Sequence, residues 1–84
     1  MQRLIDVNLV LRVYEKICRL GKKQQDHYLY EGLSASSDWD GYTIVVANSQ
    51  LELSVFFHNK YQFSSHDDKA IEGFIKQLKF VDEQ

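Results

Sequence analysis

The sequence predicts an α+β domain of order α-β-β-β-(β)-α, with an antiparallel sheet of three to four strands and both helices packed on one face. Three features of the 84-residue chain lead there. Apolar residues recur at helical spacing from Val7 to about Leu20, and again from about His66 to Phe80. Between them, Tyr42 to Phe63 alternates at the period of a half-buried strand. Two helices flanking an antiparallel sheet pack most simply on one side of it, leaving the other side to solvent or a partner.

The first helix has a start and a stop. Asp6 is placed as N-cap, with its carboxylate accepting from first-turn amides. Ile5 before it can pack on Val10 as a hydrophobic staple. Gly21 is a natural residue to end on. Leu9, Val10, Val13, Tyr14, Ile17 and Leu20, with Val7, Leu11 and Cys18 at the margins, cover an arc of roughly 200° on a helical wheel. Arg12, Lys16, Arg19 and Lys23 line up on the opposite side. An arc that wide exceeds one sheet contact, so this helix should also meet the second helix or a second subunit.

Lys22 to Asp26 reads as a polar connection. His27 to Glu31 reads as a short strand ending near Gly32-Leu33, with Tyr28 and Tyr30 inward because Glu31 would be costly there. Ser34 to Gly41 reads as a long loop ending in the Asp-Gly turn signal.

Next comes the hairpin. A two-residue loop at Asn48-Ser49 sets Val46 opposite Leu51, Ile44 opposite Leu53 and Tyr42 opposite Val55. That gathers the strongly apolar residues on one face, and Asn tolerates the left-handed conformation a tight turn demands. The reverse face carries Thr43, Ala47, Glu52 and Ser54, with Val45 and Phe56 as its apolar centre. Beyond Phe57 two readings stand. The alternation through Asn59, Tyr61 and Phe63 fits one long or bulged strand; Asn59-Lys60 fits a second tight turn. Thirteen residues would be long for a strand, whose usual length is about 5–6.

Ser65-His66-Asp67-Asp68 matches a capping box with Ser65 as N-cap. Ala70, Ile71, Phe74, Ile75, Leu78 and Val81 form the apolar face of the second helix. Lys69, Glu72, Lys76 and Lys79 form its solvent face, Gly73 lies on the solvent side, and Phe80 points outward.

Composition narrows the function classes. The length makes residues 1–84 one domain, and 44% hydrophobic residues support a core without staples. A lone Cys18 excludes an internal disulfide and suits a reducing cytoplasm. The opening MQRLIDVNLVLRVYEK lacks an unbroken apolar core and a small-residue cleavage site, so no signal peptide is expected. Apolar runs of three or four residues fall far short of a membrane span. Net charge of −2 hides an asymmetry: residues 1–23 hold six basic and two acidic side chains, whereas 24–59 hold five acidic and none basic.

Candidate sites follow. Phe56, His58 and Val45 on the open sheet face, with Trp39 in the preceding loop, are the candidate protein contact. An exposed aromatic patch of this kind suits a protein partner or a homodimer. Bases could stack there, but residues 24–59 offer no cation for phosphate. The alternative is a nucleic-acid contact through Arg12, Lys16, Arg19 and Lys23, against which stands an ordinary solvated helix face with Glu15 paired to Arg19. Asp38-Trp39-Asp40-Gly41 is similar to part of a calcium loop, but the downstream ligands are missing. Cys18, His27 and His58 lack ligand spacing for zinc. No nucleophile elbow, phosphate loop or acid–base pair is present, so neither catalytic residues nor a cofactor is expected.

The order and size resemble the double-stranded RNA-binding domain, αβββα. That family holds phosphates with a lysine-rich start to its second helix. Here the matching stretch, His66-Asp67-Asp68-Lys69-Ala70, carries two carboxylates that would repel phosphate. Asp38-Trp39-Asp40-Gly41-Tyr42-Thr43, followed by Phe56-Phe57-His58-Asn59-Lys60-Tyr61, resembles a small bacterial family of unknown function whose members are single domains of about this length. The resemblance implies a cytosolic bacterial protein and transfers no catalytic or binding residue. The expected function is therefore a small cytoplasmic protein-interaction or adaptor module.

Overall fold

A computed structural model describes residues 5–38, 42–56 and 60–84. Helix α1 spans Val7–Leu20. Six strands follow: β1 Lys22–Lys23, β2 Tyr28–Tyr30, β3 Leu33–Ser37, β4 Ile44–Ala47, β5 Glu52–Phe56 and β6 Lys60–Phe63. Helix α2, Asp68–Asp82, comes last. Every strand pairs antiparallel with its chain neighbour, so the sheet is a six-stranded meander of order β1-β2-β3-β4-β5-β6. The α+β class stands. The expected three to four strands undercounts, and the meander departs from the αβββα order of the RNA-binding domain.

Helix α1 begins as its sequence specifies. Asp6 is extended, and its Oδ1 accepts from the Asn8 N–H at 2.9 Å. The helix stops at Gly21 for a different reason than a left-handed turn, since φ there is −79°. A Cβ at Gly21 would lie 2.5 Å from the Ile17 carbonyl oxygen and 2.6 Å from that of Leu29. Glycine is needed because β2 passes against the helix end.

Two strands replace segments expected to be irregular. Lys22–Lys23, read as connection, pairs with β2 across the turn at residues 24–27. Residues 33–37, expected as the end of one strand and the start of a long loop, form β3. Serine-rich segments have low strand propensity, but Leu33 and Ala35 alternate with Ser34 and Ser36, and both are fully buried. The turn joining β2 to β3 holds Glu31 at φ 51° and Gly32 at φ 79°. Successive positive φ values make a turn of the I′ kind that suits tight hairpins. The turn carries Leu33 onto the same face as Tyr30, its cross-strand partner. Both tyrosines do face inward, half-buried against the core.

The β4–β5 hairpin has the expected faces and a different register. Val46 lies opposite Leu53 and Ile44 opposite Val55, two residues from the predicted pairing, and the strand starts at Ile44 rather than Tyr42. The turn centres on Ser49-Gln50. Asn48 works through its side chain: its Oδ1 accepts from Gln50 N–H at 2.8 Å and Leu51 N–H at 2.9 Å. Such an Asx turn needs no left-handed Asn.

Strands β5 and β6 pair antiparallel, as the second-hairpin reading expects. Phe56 pairs with Lys60 and Leu53 with Phe63. Lys60 already belongs to the strand, so Asn59-Lys60 is not the turn; Phe57, His58 and Asn59 lie outside the described residues.

Helix α2 starts two residues later than expected. Asp67 is the N-cap, its Oδ1 accepting from Lys69 N–H at 3.1 Å. Ser65 instead accepts from Asp67 N–H at 3.1 Å and shapes the approach. The apolar face is as predicted: Ala70, Ile71, Phe74, Leu78 and Val81 are buried, and Ile75 is partly so.

Both helices cover one side of the sheet. Val10, Val13 and Ile17 of α1 and Phe74, Leu78 and Val81 of α2 meet Leu33, Ala35, Val46 and Leu53 in one core. Each of these except Ala35, as a fully buried Val, Leu, Ile or Phe side chain, contributes about 1.5–3 kcal/mol of transfer free energy. Phe63 stacks edge-on against Phe74 at 6.2 Å, and Tyr61 does the same against Phe63 at 6.1 Å. The Tyr61 hydroxyl also accepts from Ile5 N–H at 3.4 Å, drawing the start of α1 towards β6. Gln77 fastens α2 to two turns: its amide donates to the Glu31 carbonyl at 3.2 Å and accepts from Asn48 Nδ2 at 3.0 Å.

Candidate protein-interaction face

The strand pairings lay out the uncovered face row by row. One row runs Lys22, Leu29, Ser34, Ala47 and Glu52; the next runs Ser36, Val45, Ser54 and Gln62; Phe56 and Lys60 lie together in a third. The centre holds only small or apolar side chains. The charges, Lys22, Glu52 and Lys60, all sit at its border. Two large apolar groups stand out from it, Leu29 at 42% and Phe56 at 38% exposure.

The predicted contact residues are partly placed. Val45 is half-buried at the centre of this face, and Phe56 is exposed at one corner. Trp39 and His58 lie outside the described residues. Leu29, Ser34 and Ser36 belong to the face but were not among the candidates. Leu29 could be found from the inward tyrosines on either side of it. The serines could not, because the low strand propensity of their segment hides the strand.

The basic stripe is divided. Arg12 donates from Nε to Asp82 Oδ1 at 3.1 Å and from Nη2 to Oδ2 at 3.3 Å. The hydrogen bonds from Arg12 hold the Asp82 carboxyl below the usual carboxylate range. Lys16 Nζ donates to the carbonyls of Val81 at 3.3 Å, Asp82, and Gln84 at 3.0 Å. A cation on the last carbonyls of α2 is favoured by the negative end of the helix dipole. Arg19 and Lys23 stay exposed, the former in the last turn of α1 and the latter in β1. The four cations thus do not present one continuous surface.

Two other titratable groups are perturbed. Asp26 accepts from His27 Nδ1 at 2.8 Å, which lowers its pKa. Burial pushes the Tyr14 phenol up. Neither lies on the open face. Among the described residues no group of His, Cys, Asp or Glu side chains could hold a metal ion, and no helix is long and apolar enough to cross a membrane.

Fold and face define a small α+β domain in which two helices back an antiparallel meander and leave its other side open. The chain belongs to the family described as "Protein of unknown function (DUF3081)", whose model matches residues 5–84. This agrees with the family resemblance of the two aromatic segments. No curated protein and no solved structure matches it.

Proposed function

We propose that this domain is a non-enzymatic protein-interaction module whose contact surface is the open face of the sheet around Val45 and Phe56. The observation that carries it is the charge-free centre of that face, Ser34, Ser36, Val45, Ala47 and Ser54, with Phe56 and Leu29 exposed beside it. The centres of protein interfaces are depleted of charge, as this one is. The half-buried thiol of Cys18 suits the cytoplasm as its compartment, and a bacterial source is what the family resemblance implies. The nucleic-acid alternative is less favoured, since Arg12 pairs with Asp82 and Lys16 with the last carbonyls of α2.

Site-specific photo-crosslinking in the native cells tests this. A benzophenone side chain replaces Val45 in one chain and Lys76, on the solvent side of α2, in another. A discrete protein adduct is expected from position 45, absent from position 76, and lost when Phe56→Asp is added to a chain that still folds by circular dichroism. Equal adducts from both positions, or none from 45, would remove the reading.

A further inference from the structure

The two edges of the sheet are built differently. At one edge, β1 is two residues long and both are lysine. Short length and lysine are the usual means of keeping an edge from pairing with another chain. At the other edge, β6 is four residues long and reads Lys60-Tyr61-Gln62-Phe63. Its only charge lies at its first position.

The backbone groups of β6 can be assigned by parity. The Ser64 N–H donates to the Glu52 carbonyl at 2.9 Å, in register with the β5–β6 ladder. In an antiparallel ladder, alternate residues direct both their N–H and C=O to the same neighbour. Ser64, Gln62 and Lys60 therefore address β5. The N–H and C=O of Tyr61 and Phe63 point out of the sheet, and among the described residues no strand pairs with them.

We propose that β6 pairs with β6 of a second copy, antiparallel about a two-fold axis through Gln62, to give a homodimer with one continuous sheet. In this register Tyr61 exchanges both outward hydrogen bonds with Phe63 of the second copy, and Phe63 does the same with Tyr61. Every outward backbone group of the strand core is then satisfied. The Tyr61 and Phe63 side chains, already edge-on to each other within one chain, meet their counterparts across the seam on the helix side. Gln62 meets Gln62 on the open side, where two amides can donate and accept reciprocally. Lys60 falls opposite Ser64, so no like charges face each other. Pairing β1 with β1 would instead set lysine against lysine. That asymmetry selects a closed two-fold pair over a head-to-tail chain of sheets. All helices lie on one side of the dimer, and the open faces of the two copies become one surface. The dimer does not depend on the protein-interaction reading, because Phe56 lies one strand in from the seam.

The test is light scattering on size-separated full chain at tens of micromolar, with charge variants at Gln62, which is exposed and addresses β5 only through its backbone. Wild type is expected as a dimer. Both Gln62→Lys and Gln62→Glu, which oppose like charges on the axis, weaken it by on the order of tenfold or more. Mixing the two variants restores dimer, whereas Phe56→Asp leaves it intact. A monomeric wild type overturns the proposal. So does a dimer that persists in both variants alone, or a mixture of the two that stays monomeric. Loss of the dimer in Phe56→Asp, with Gln62 variants unaffected, assigns association to the open face instead and overturns it as well.

Discussion

Arg12 in α1 and Asp82 in the last turn of α2 form a two-point ion pair across 70 residues of sequence, with contacts at 3.1 and 3.3 Å. The hydrogen bond from Arg12 is the larger cause, and its charge a further cause, of the lowered Asp82 pKa. A carboxylate whose folded pKa is depressed adds stability above its unfolded pKa and loses it as pH falls through the folded value. The Asp82 contribution is therefore present at neutral pH and disappears in the acid range below the ordinary aspartate pKa. Following the Asp82 carboxyl by NMR should show a titration midpoint below the ordinary aspartate value, and Arg12→Gln should bring it back up. An unchanged midpoint in the variant would show that Arg12 is not the cause.

Lys16 is expected to matter more to α2 than to any ligand. Lys16→Met keeps the stem and removes the ammonium from the Val81, Asp82 and Gln84 carbonyls. A cation at a helix C-terminus contributes about 0.3–1 kcal/mol, and up to about 2 when partly buried, so the loss in urea denaturation should fall near 1 kcal/mol. Amide exchange at Glu83 and Gln84, whose N–H groups bond to Lys79 and Val81, should speed up with it.

Two glycine-to-alanine substitutions should act with opposite signs. Gly21→Ala drives a methyl into the Ile17 and Leu29 carbonyls and should cost about 1–3 kcal/mol, as overpacking does. Gly73→Ala meets nothing within 4 Å and should stabilise by up to about 1 kcal/mol through helix propensity. Thermal melts of the two variants, taken together, check both signs.

The Glu31-Gly32 turn offers a stabilising change. Glu31 holds φ 51°, which a residue with a Cβ adopts at a cost that Asn bears more easily. Only the backbone carbonyl of Glu31 is used by Gln77, so the side chain is free to change. Glu31→Asn should raise stability by roughly 1 kcal/mol or less, read as a higher urea midpoint at unchanged slope.

The limits of reading this sequence are physical ones. Helix α1 was legible to the residue because its apolar arc, Asp6 cap and Gly21 stop all agree. The faces of β4 and β5 were legible, yet their register was not. A shift of two residues keeps every side chain on its face, so alternation fixes parity alone and the turn decides the rest. The Asn48 side chain made that decision by bonding to Gln50 and Leu51. Strand β3 was hidden because Ser and Ala say little locally. What makes it a strand is Ala35 lying between Tyr28 and Val46 beneath the helices. The open face was legible around Val45 and Phe56 from parity, while Ser34 and Ser36 depended on the hidden strand. The basic stripe was visible as a stripe, but that Arg12 and Lys16 meet the far end of α2 is a matter of chain path, which no local pattern reports.

The meander also sets the order in which this protein can be made. Each strand finds its partner in the residues just before it, so hairpins can form as the chain leaves the ribosome. Helix α1 emerges first, yet the groups it closes on, Val81 and Asp82 among them, are added last. Until then Val10, Val13 and Ile17 lack the cover that Phe74, Leu78 and Val81 give them in the finished core. Chains halted at Phe74 should be cut by protease as readily as unfolded ones, and chains extended through Asp82 should resist. The domain is thus committed to a single late folding event, and its first helix passes through synthesis with an apolar surface that the cell must tolerate or shield.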